Sequence, residues 1–250
     1  MIRSSARTSR TPPACLRPGL MITLYHHPFC PHSRFIRLAL GEMGVEPRLV
    51  EEKVWDRRRE FLLMAPEGAT PVMLDDDGPS LSGAGVIAEY LDETRGLGLG
   101  DRRLMPQDPL ARAETRRLMQ WFNVKLFNEA SQWLVREKVY KRFMSMAQGG
   151  GGPDMEAVRA ARSNLRYHLR YIGHLIGGRN WLAGDRMSYA DLAAAAHLSC
   201  IDYLGDAPWD ESETAKTWYA RMKSRPSFRP LLAERLPGMV PSVAYADLDF

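Results

Sequence analysis

The run Ile22-Thr23-Leu24-Tyr25-His26-His27-Pro28-Phe29-Cys30-Pro31-His32-Ser33-Arg34-Phe35-Ile36-Arg37-Leu38-Ala39-Leu40 changes its period in mid-course. Residues 22–25 form a short β run, and Pro28 interrupts it. From Phe29 onward the apolar residues Phe35, Ile36, Leu38, Ala39, Leu40 and Met43 mark one face of a helix that stops at Gly44. Beyond it, residues 47–54 read as a second strand, and 57–64 as a short helix closed by Pro66 and Gly68. Residues 71–74 and 80–82 read as two further strands around the turn cluster Asp75-Asp76-Asp77-Gly78-Pro79, and 86–93 as a helix. The order is β-α-β, then α, then β-β-α, within residues 21–95.

Gly96, Gly98 and Gly100 mark a linker over 96–106. From 107 to 236 the period stays near 3.6, which predicts an all-α second domain. Its helices read as 110–146 (one long helix or two collinear ones), 154–176, 188–204 and 211–223, with Gly149–Gly152 and Pro153 as a hard stop. Ser188 and Asp191 form a capping box at the start of the third. Residues 237–250 form a tail and residues 1–20 a disordered leader or extension, set apart from the fold.

The net charge of +4 resides in that leader, where Arg3, Arg7, Arg10 and Arg17 meet no acid; the remaining 30 basic residues are matched by 30 acidic ones. A neutral body does not suit a nucleic-acid partner. The run Arg57-Arg58-Arg59 sits among Glu51, Glu52, Asp56 and Glu60 and reads as a solvated helix face. Three cysteines, Cys15, Cys30 and Cys200, with no CxxC spacing, imply no disulfide framework and fit a reducing cytoplasm. The most apolar stretch, 190–204, carries Asp191, His197 and Asp202, and predicts no membrane insertion.

Four motifs in order resemble the glutathione S-transferase superfamily over residues 21–236. They are the Tyr25–Ser33 strand-and-turn, Ala69-Thr70-Pro71-Val72, Gly184-Asp185-Arg186-Met187-Ser188-Tyr189-Ala190-Asp191, and Trp218-Tyr219 with Arg225-Pro226-Ser227-Phe228. The resemblance implies a thioredoxin-like α/β N-terminal domain over 21–95 plus an all-α C-terminal domain over 107–236. It also implies that Pro71 follows a cis bond and that Thr70 offers its backbone to a peptide-like ligand. Pro71 reads equally well as a residue kept for fold geometry alone.

Cys30 precedes a helix, whose N-terminus favours a thiolate. It reads either as a nucleophile, as in thiol-transferring members of the superfamily, or as a small residue packed in a turn. The stretch Leu81-Ser82-Gly83-Ala84-Gly85-Val86-Ile87-Ala88-Glu89-Tyr90-Leu91 aligns with the superfamily's glutathione-anchoring segment. There an acidic residue or Gln followed by Ser holds the γ-glutamyl group; here the two positions are Gly83 and Ala84. Each charge-assisted hydrogen bond lost is worth roughly 1.5–3 kcal/mol, so glutathione affinity is expected to fall by roughly two to four orders of magnitude. Cys30, Thr70, Pro71, Gly83 and Ala84 thus form a degenerate glutathione site, with no cofactor expected.

Gly83-Ala84-Gly85-Val86-Ile87-Ala88 also fits GxGxxA, but a turn cluster precedes it and a glycine-rich linker follows, so a dinucleotide fold is rejected. His26, His27 and His32 flank Cys30 without a second cluster, which favours structural or surface histidines over a metal site. The helix over 110–146 is apolar on two sides through Leu118, Trp121, Phe122, Val124, Leu126, Phe127, Trp133, Leu134, Val139, Tyr140 and Phe143. That pattern reads as a partner surface, hence a homodimer, or as an enclosed core helix.

The tail offers Tyr245, Asp247, Leu248, Asp249 and Phe250 as a partner-docking element, or frays as tails commonly do. Folding is not expected to depend on residues 241–250. Within the superfamily the whole pattern resembles the bacterial division proteins that bind FtsZ filaments. This implies a non-catalytic homodimer in the cytoplasm, at the division site, with FtsZ or another division-machinery protein as partner. The competing reading is a glutathione-dependent transferase or thiol transferase that uses Cys30.

Overall fold

The computed structural model describes residues 21–76 and 78–247. The N-terminal unit runs β1 (Ile22–His26), α1 (Pro31–Glu42), β2 (Arg48–Glu51), α2 (Arg59–Met64), β3 (Val72–Asp75), β4 (Leu81–Ser82) and α3 (Ala84–Arg95). The sheet order is β2-β1-β3-β4. β1 runs parallel to β2, with Thr23 opposite Arg48, and antiparallel to β3, with Leu24 opposite Met73. Two adjacent parallel strands need a crossover, and α1 supplies it. Its residues Phe35, Ile36, Leu38, Ala39 and Leu40 are all buried, some on the sheet and some on the helical unit. The apolar set in α1 is therefore wider than one stripe because the helix is covered on both sides.

A 3₁₀ segment over Gly96–Arg102 follows α3, and Arg103 is held to the buried Asp92 by two hydrogen bonds of 2.9 and 2.6 Å. The helical unit begins with α4 (Pro109–Gln120), capped by Asp108, whose carboxylate accepts from the Ala111 N–H at 2.8 Å. α4 continues as π-helical turns over Trp121–Ser131, α5 (Gln132–Val135), a second π segment over Arg136–Tyr140, and α6 (Lys141–Phe143). Sequence spacing accounts for this geometry. Leu118, Phe122, Leu126, Ala130 and Leu134 recur every four residues, and all five are fully buried. A period of four overshoots the 3.6-residue turn. The wider i→i+5 turns absorb the difference and keep the stripe on the core.

The remaining helices are α7 (Met155–Gly177), α8 (Tyr189–Tyr203), α9 (Glu213–Lys223), α10 (Arg229–Ala233) and α11 (Val243–Ala246). α8 is the central pillar, buried along its whole length and packed on α1 and on the Trp121–Ser131 segment. Its capping box forms as the sequence predicts. The Ala190 N–H reaches Ser188 Oγ at 3.2 Å, and Asp191 Oδ2 accepts from the Ser188 N–H at 3.0 Å. Asp191 Oδ1 also accepts from the Leu182 N–H at 3.0 Å and Trp218 Nε1 at 3.1 Å, so one carboxylate joins the preceding turn, α8 and α9.

Two sequence expectations are corrected. The run from Leu118 to Phe143 does not present a second broad apolar face. Leu118, Phe122, Leu126, Leu134 and Val139 lie in the core, and only Val124, Trp133 and Phe143 of that set are exposed. The tail is not independent of the fold either. α11 buries Tyr245 completely, against Phe29 and Tyr203. Tyr245 donates to the Leu231 carbonyl at 2.7 Å and accepts from Arg34 at 3.3 Å. The Lys223 ammonium donates to the Ala244 carbonyl at 2.6 Å, and Ser242 Oγ to that of Asp202 at 2.6 Å. A buried aromatic with a satisfied hydroxyl is a core residue. Leu248, Asp249 and Phe250 lie outside the described residues, as does the leader 1–20.

Among the described residues no helix is long and apolar enough to cross a membrane. Arg57, Arg58 and Arg59 are exposed, and Arg58 pairs with the buried Glu52.

Candidate functional site

β1 delivers the chain to a tight turn in which the Cys30 N–H bonds the His27 carbonyl at 2.9 Å. Cys30 is then the N-cap of α1, with extended backbone (φ −84°, ψ 116°) and Pro31 at the first helical position. Proline is favoured there because its missing N–H costs nothing. The Arg34 N–H closes the first helical turn on the Cys30 carbonyl at 3.0 Å. Cys30 is buried and its thiol donates to the Thr70 carbonyl at 3.4 Å, across the cis Thr70–Pro71 bond.

His32 completes the group from the other side. Its Nε2 lies 2.8 Å from the Asn123 carbonyl in the π-helical segment. A carbonyl only accepts, so Nε2 carries the hydrogen and, in the neutral ring, Nδ1 is the acceptor. Burial pushes the Cys30 thiol up, but the hydrogen bond and charge of His32, with contacts to Ser33 and Thr70, outweigh it and bring the thiol down to about 7. Burial works against the His32 cation too, yet Cys30 and the Asn123 carbonyl raise it above the ordinary imidazole value. Phe127 and His197 pack on the His32 ring at 4.4 and 5.3 Å between centroids. His197 is fixed by Ser131 Oγ at 2.7 Å and Asn123 Oδ1 at 3.2 Å, and burial holds it neutral.

Gly83 is the N-cap of α3, in a left-handed conformation (φ 89°), and its N–H bonds the Pro71 carbonyl at 3.2 Å. No side chain caps this helix. Beside it lies a cleft of about 640 Å³ lined by His32, Thr70, Gly83, Ala84, Asn123 and Val124, among others. Arg116 borders this cleft, but Glu89 engages it through two hydrogen bonds of 2.7 and 3.0 Å, so its charge is already matched. A larger cleft, about 820 Å³, between the linker and the Gly184–Ser188 turn shares none of these residues and is lined by no cysteine or histidine.

The structure thus brings Cys30, Thr70, Pro71, Gly83 and Ala84 together. It does not bring Tyr245 to a surface, whereas Asp247 is exposed. Sequence reasoning missed the role of His32, which it grouped with His26 and His27 as structural or surface, and missed Asn123 and Arg34. The signal for His32 was its place two residues after Cys30 in the same turn. Asn123 had none, since 91 residues separate it from its partner. Among the described residues no group of three His, Cys, Asp or Glu side chains gathers as a metal site.

Residues 24–98 match the glutathione S-transferase N-terminal domain and residues 139–235 its C-terminal domain. The chain belongs to the glutathione S-transferase family. Within that family it is 46% identical over 231 residues to FtsZ-localized protein A of Caulobacter vibrioides, which spans 91% of this chain and 98% of the relative. Among solved structures, a glutathione S-transferase from Sinorhizobium meliloti superposes with a TM-score of 0.90 at 54% identity, covering 92% of this chain and all of that one. FzlA from C. crescentus superposes with a TM-score of 0.84 at 45% identity, with the same coverage. The thioredoxin-like and all-α halves expected of a glutathione S-transferase fold are both present.

Proposed function

We propose that this chain is an FtsZ-associated protein of the division site, which binds FtsZ filaments as a homodimer and does not act as a glutathione transferase. The observation that carries the reading is the 46% identity, across 98% of its length, to a relative named for its localization with FtsZ. The site supports it from another direction. A transferase must hold glutathione, and here the side chains at the head of α3 are those of Gly83 and Ala84, with no capping group. A bound γ-glutamyl carboxylate would meet helix N–H groups without the hydroxyl and acidic partners that the wider family supplies.

A homodimer is the fitting form for a filament binder. Two linked sites on a repeating polymer turn a modest affinity into a strong one by effective concentration, with no new contact required. Val124 and Val86, both exposed on the helices that border the cleft, supply apolar surface for such pairing. Light scattering at micromolar concentration will give twice the 28.3 kDa chain mass, and the chain will pellet with FtsZ filaments. A monomer mass contradicts the dimer, and protein left in the supernatant contradicts the function.

A further inference from the structure

His168 is fully buried and lies outside the cleft beside Cys30. It sits on α7 against the π-helical Trp121–Ser131 segment, and both of its ring nitrogens are engaged there. We propose that His168 is a proton-operated latch: the neutral ring holds the Trp121 indole in place, and a second ring proton releases it.

Hydrogen-bond chemistry fixes the resting state. Trp121 Nε1 lies 3.2 Å from His168 Nδ1, and an indole N–H only donates. Nδ1 is therefore the acceptor, and Nε2 carries the hydrogen, which it donates to Glu129 Oε2 at 3.0 Å. This tautomer satisfies the ring completely. A second proton can go only on Nδ1, where it meets the indole N–H donor against donor. The two groups then cannot both stay. The indole is the one that leaves, since Trp121 is partly exposed whereas His168 has no exposed surface. Its departure brings water to the ring edge, and the imidazolium keeps Glu129 as its counter-ion.

The groups around the ring pull in opposite directions. Burial favours the neutral ring, the Glu129 carboxylate opposes it, and Lys125 sides with burial. Burial raises Glu129, but Lys125 and His168 outweigh that and hold it below the usual carboxylate range. His197 faces the ring from α8 and is itself held neutral by burial. Tyr167 meets the ring edge-on from α7, at 5.7 Å between centroids. The balance sets the titration of His168 below the ordinary imidazole value of 6.5, so the latch is shut at neutral pH and opens on acidification. Trp121 is the centre of a surface cluster. Tyr171 and Tyr167 lie 4.4 and 6.2 Å from its ring, and the Lys125 ammonium sits over it at 5.5 Å. Arg117 holds the Tyr171 hydroxyl at 3.0 Å, and Tyr167 is half exposed. Gln120, Asn123 and Val124, on either side of Trp121 in sequence, line the 640 Å³ cleft. Opening the latch therefore disperses an aromatic surface at the edge of that cleft.

The test follows Trp121 and His168 in the full chain by NMR, with labelled indole nitrogens, from about pH 7.5 to about pH 4.5. Trp121→Phe assigns the indole signal and His168→Gln the imidazole one. The Trp121 N–H and the His168 Cε1–H signals are expected to shift with one shared midpoint below pH 6.5, while far-ultraviolet circular dichroism stays constant. The amide of His168→Gln accepts from the indole and donates to Glu129 without titrating, so that variant is expected to keep Trp121 in place throughout. Trp121→Phe removes a hydrogen bond that only the neutral ring accepts. Its His168 is expected to bind the proton roughly two- to tenfold more tightly, the ordinary worth of one neutral hydrogen bond. Glu129→Gln is expected to move the midpoint the other way. The proposal is overturned by a Trp121 signal that does not follow the His168 midpoint, or that moves equally in His168→Gln. An unchanged His168 midpoint in Trp121→Phe, or no change short of global unfolding, overturns it as well. The parent titration reads the latch even where a variant fails to fold, and no outcome depends on whether the chain binds FtsZ.

Discussion

Gly83 and Ala84 are two small residues at the head of α3, and both the spacing to Ile87-Ala88-Glu89-Tyr90-Leu91 and the structure place them beside Thr70 and Pro71. A neighbouring pair on one local motif is legible in sequence because its register is fixed within a few residues. The link from His32 to Asn123 was not legible, since it joins two units through a tertiary contact. Calorimetry at millimolar glutathione is expected to show no binding, and an affinity in the tens of micromolar contradicts the reading of this site. His26 and His27 yield a second expectation. Burial, then Arg37, His27 and Arg34, pushes His26 down to about 3, and burial, then Arg34 and Lys53, pushes His27 down to about 4. Unfolding frees both rings to take a proton near 6.5, so below that pH the unfolded chain binds more protons and stability falls. The slope is about 1.4 kcal/mol per pH unit for each histidine, and neither contributes above pH 6.5. Calorimetric unfolding midpoints will therefore drop from pH 6.5 to 4.5, and His26→Gln will flatten the drop; an identical slope in that variant contradicts the account.

Elements were legible where a cap or a period marked them. The Ser188–Asp191 box opens α8 as read, though its further bonds to Leu182 and Trp218 come from tertiary structure that no local pattern encodes. The four-residue repeat from Leu118 to Leu134 was visible as apolar richness, but a 3.6-residue template interprets surplus richness as a second face. The wider π turns put those side chains on one stripe instead. α11 is illegible in the sequence for the opposite reason. Pro237 and Pro241 announce a break, and nothing nearby announces that Tyr245 returns to Arg34, 211 residues away. Arg34 is fully buried, with its guanidinium bonded to the Pro28 carbonyl at 2.7 Å, Ser199 at 2.9 Å and Glu234 at 3.4 Å besides Tyr245. Truncation after Pro241 removes one of its partners and opens a cavity the size of a tyrosine. The expected cost is roughly 3 kcal/mol or more, the range for deleting a buried aromatic. Denaturant unfolding checks it, and an unchanged midpoint contradicts the integration of α11.

At the scale of the whole molecule, the two units are held together by α1. It packs on α8, ties Glu42 to Arg225 by paired bonds of 2.6 Å, and ties Arg37 to Glu234 at 2.6 Å. The family and its two-unit layout were readable from four motifs because those motifs sit at turns and caps that the fold requires. The proposed FtsZ partner comes only through resemblance, since filament recognition leaves no spacing rule of its own. The fold is that of a transferase, Gly83 and Ala84 stand at the head of α3, and the proposed partner is an FtsZ filament. Co-sedimentation with assembled FtsZ, at fixed chain concentration and increasing polymer, tests that union most directly. Saturable pelleting that depends on polymerised FtsZ and is unaffected by millimolar glutathione is the predicted result. A chain that stays in the supernatant at every polymer concentration, or is released by glutathione, would contradict it.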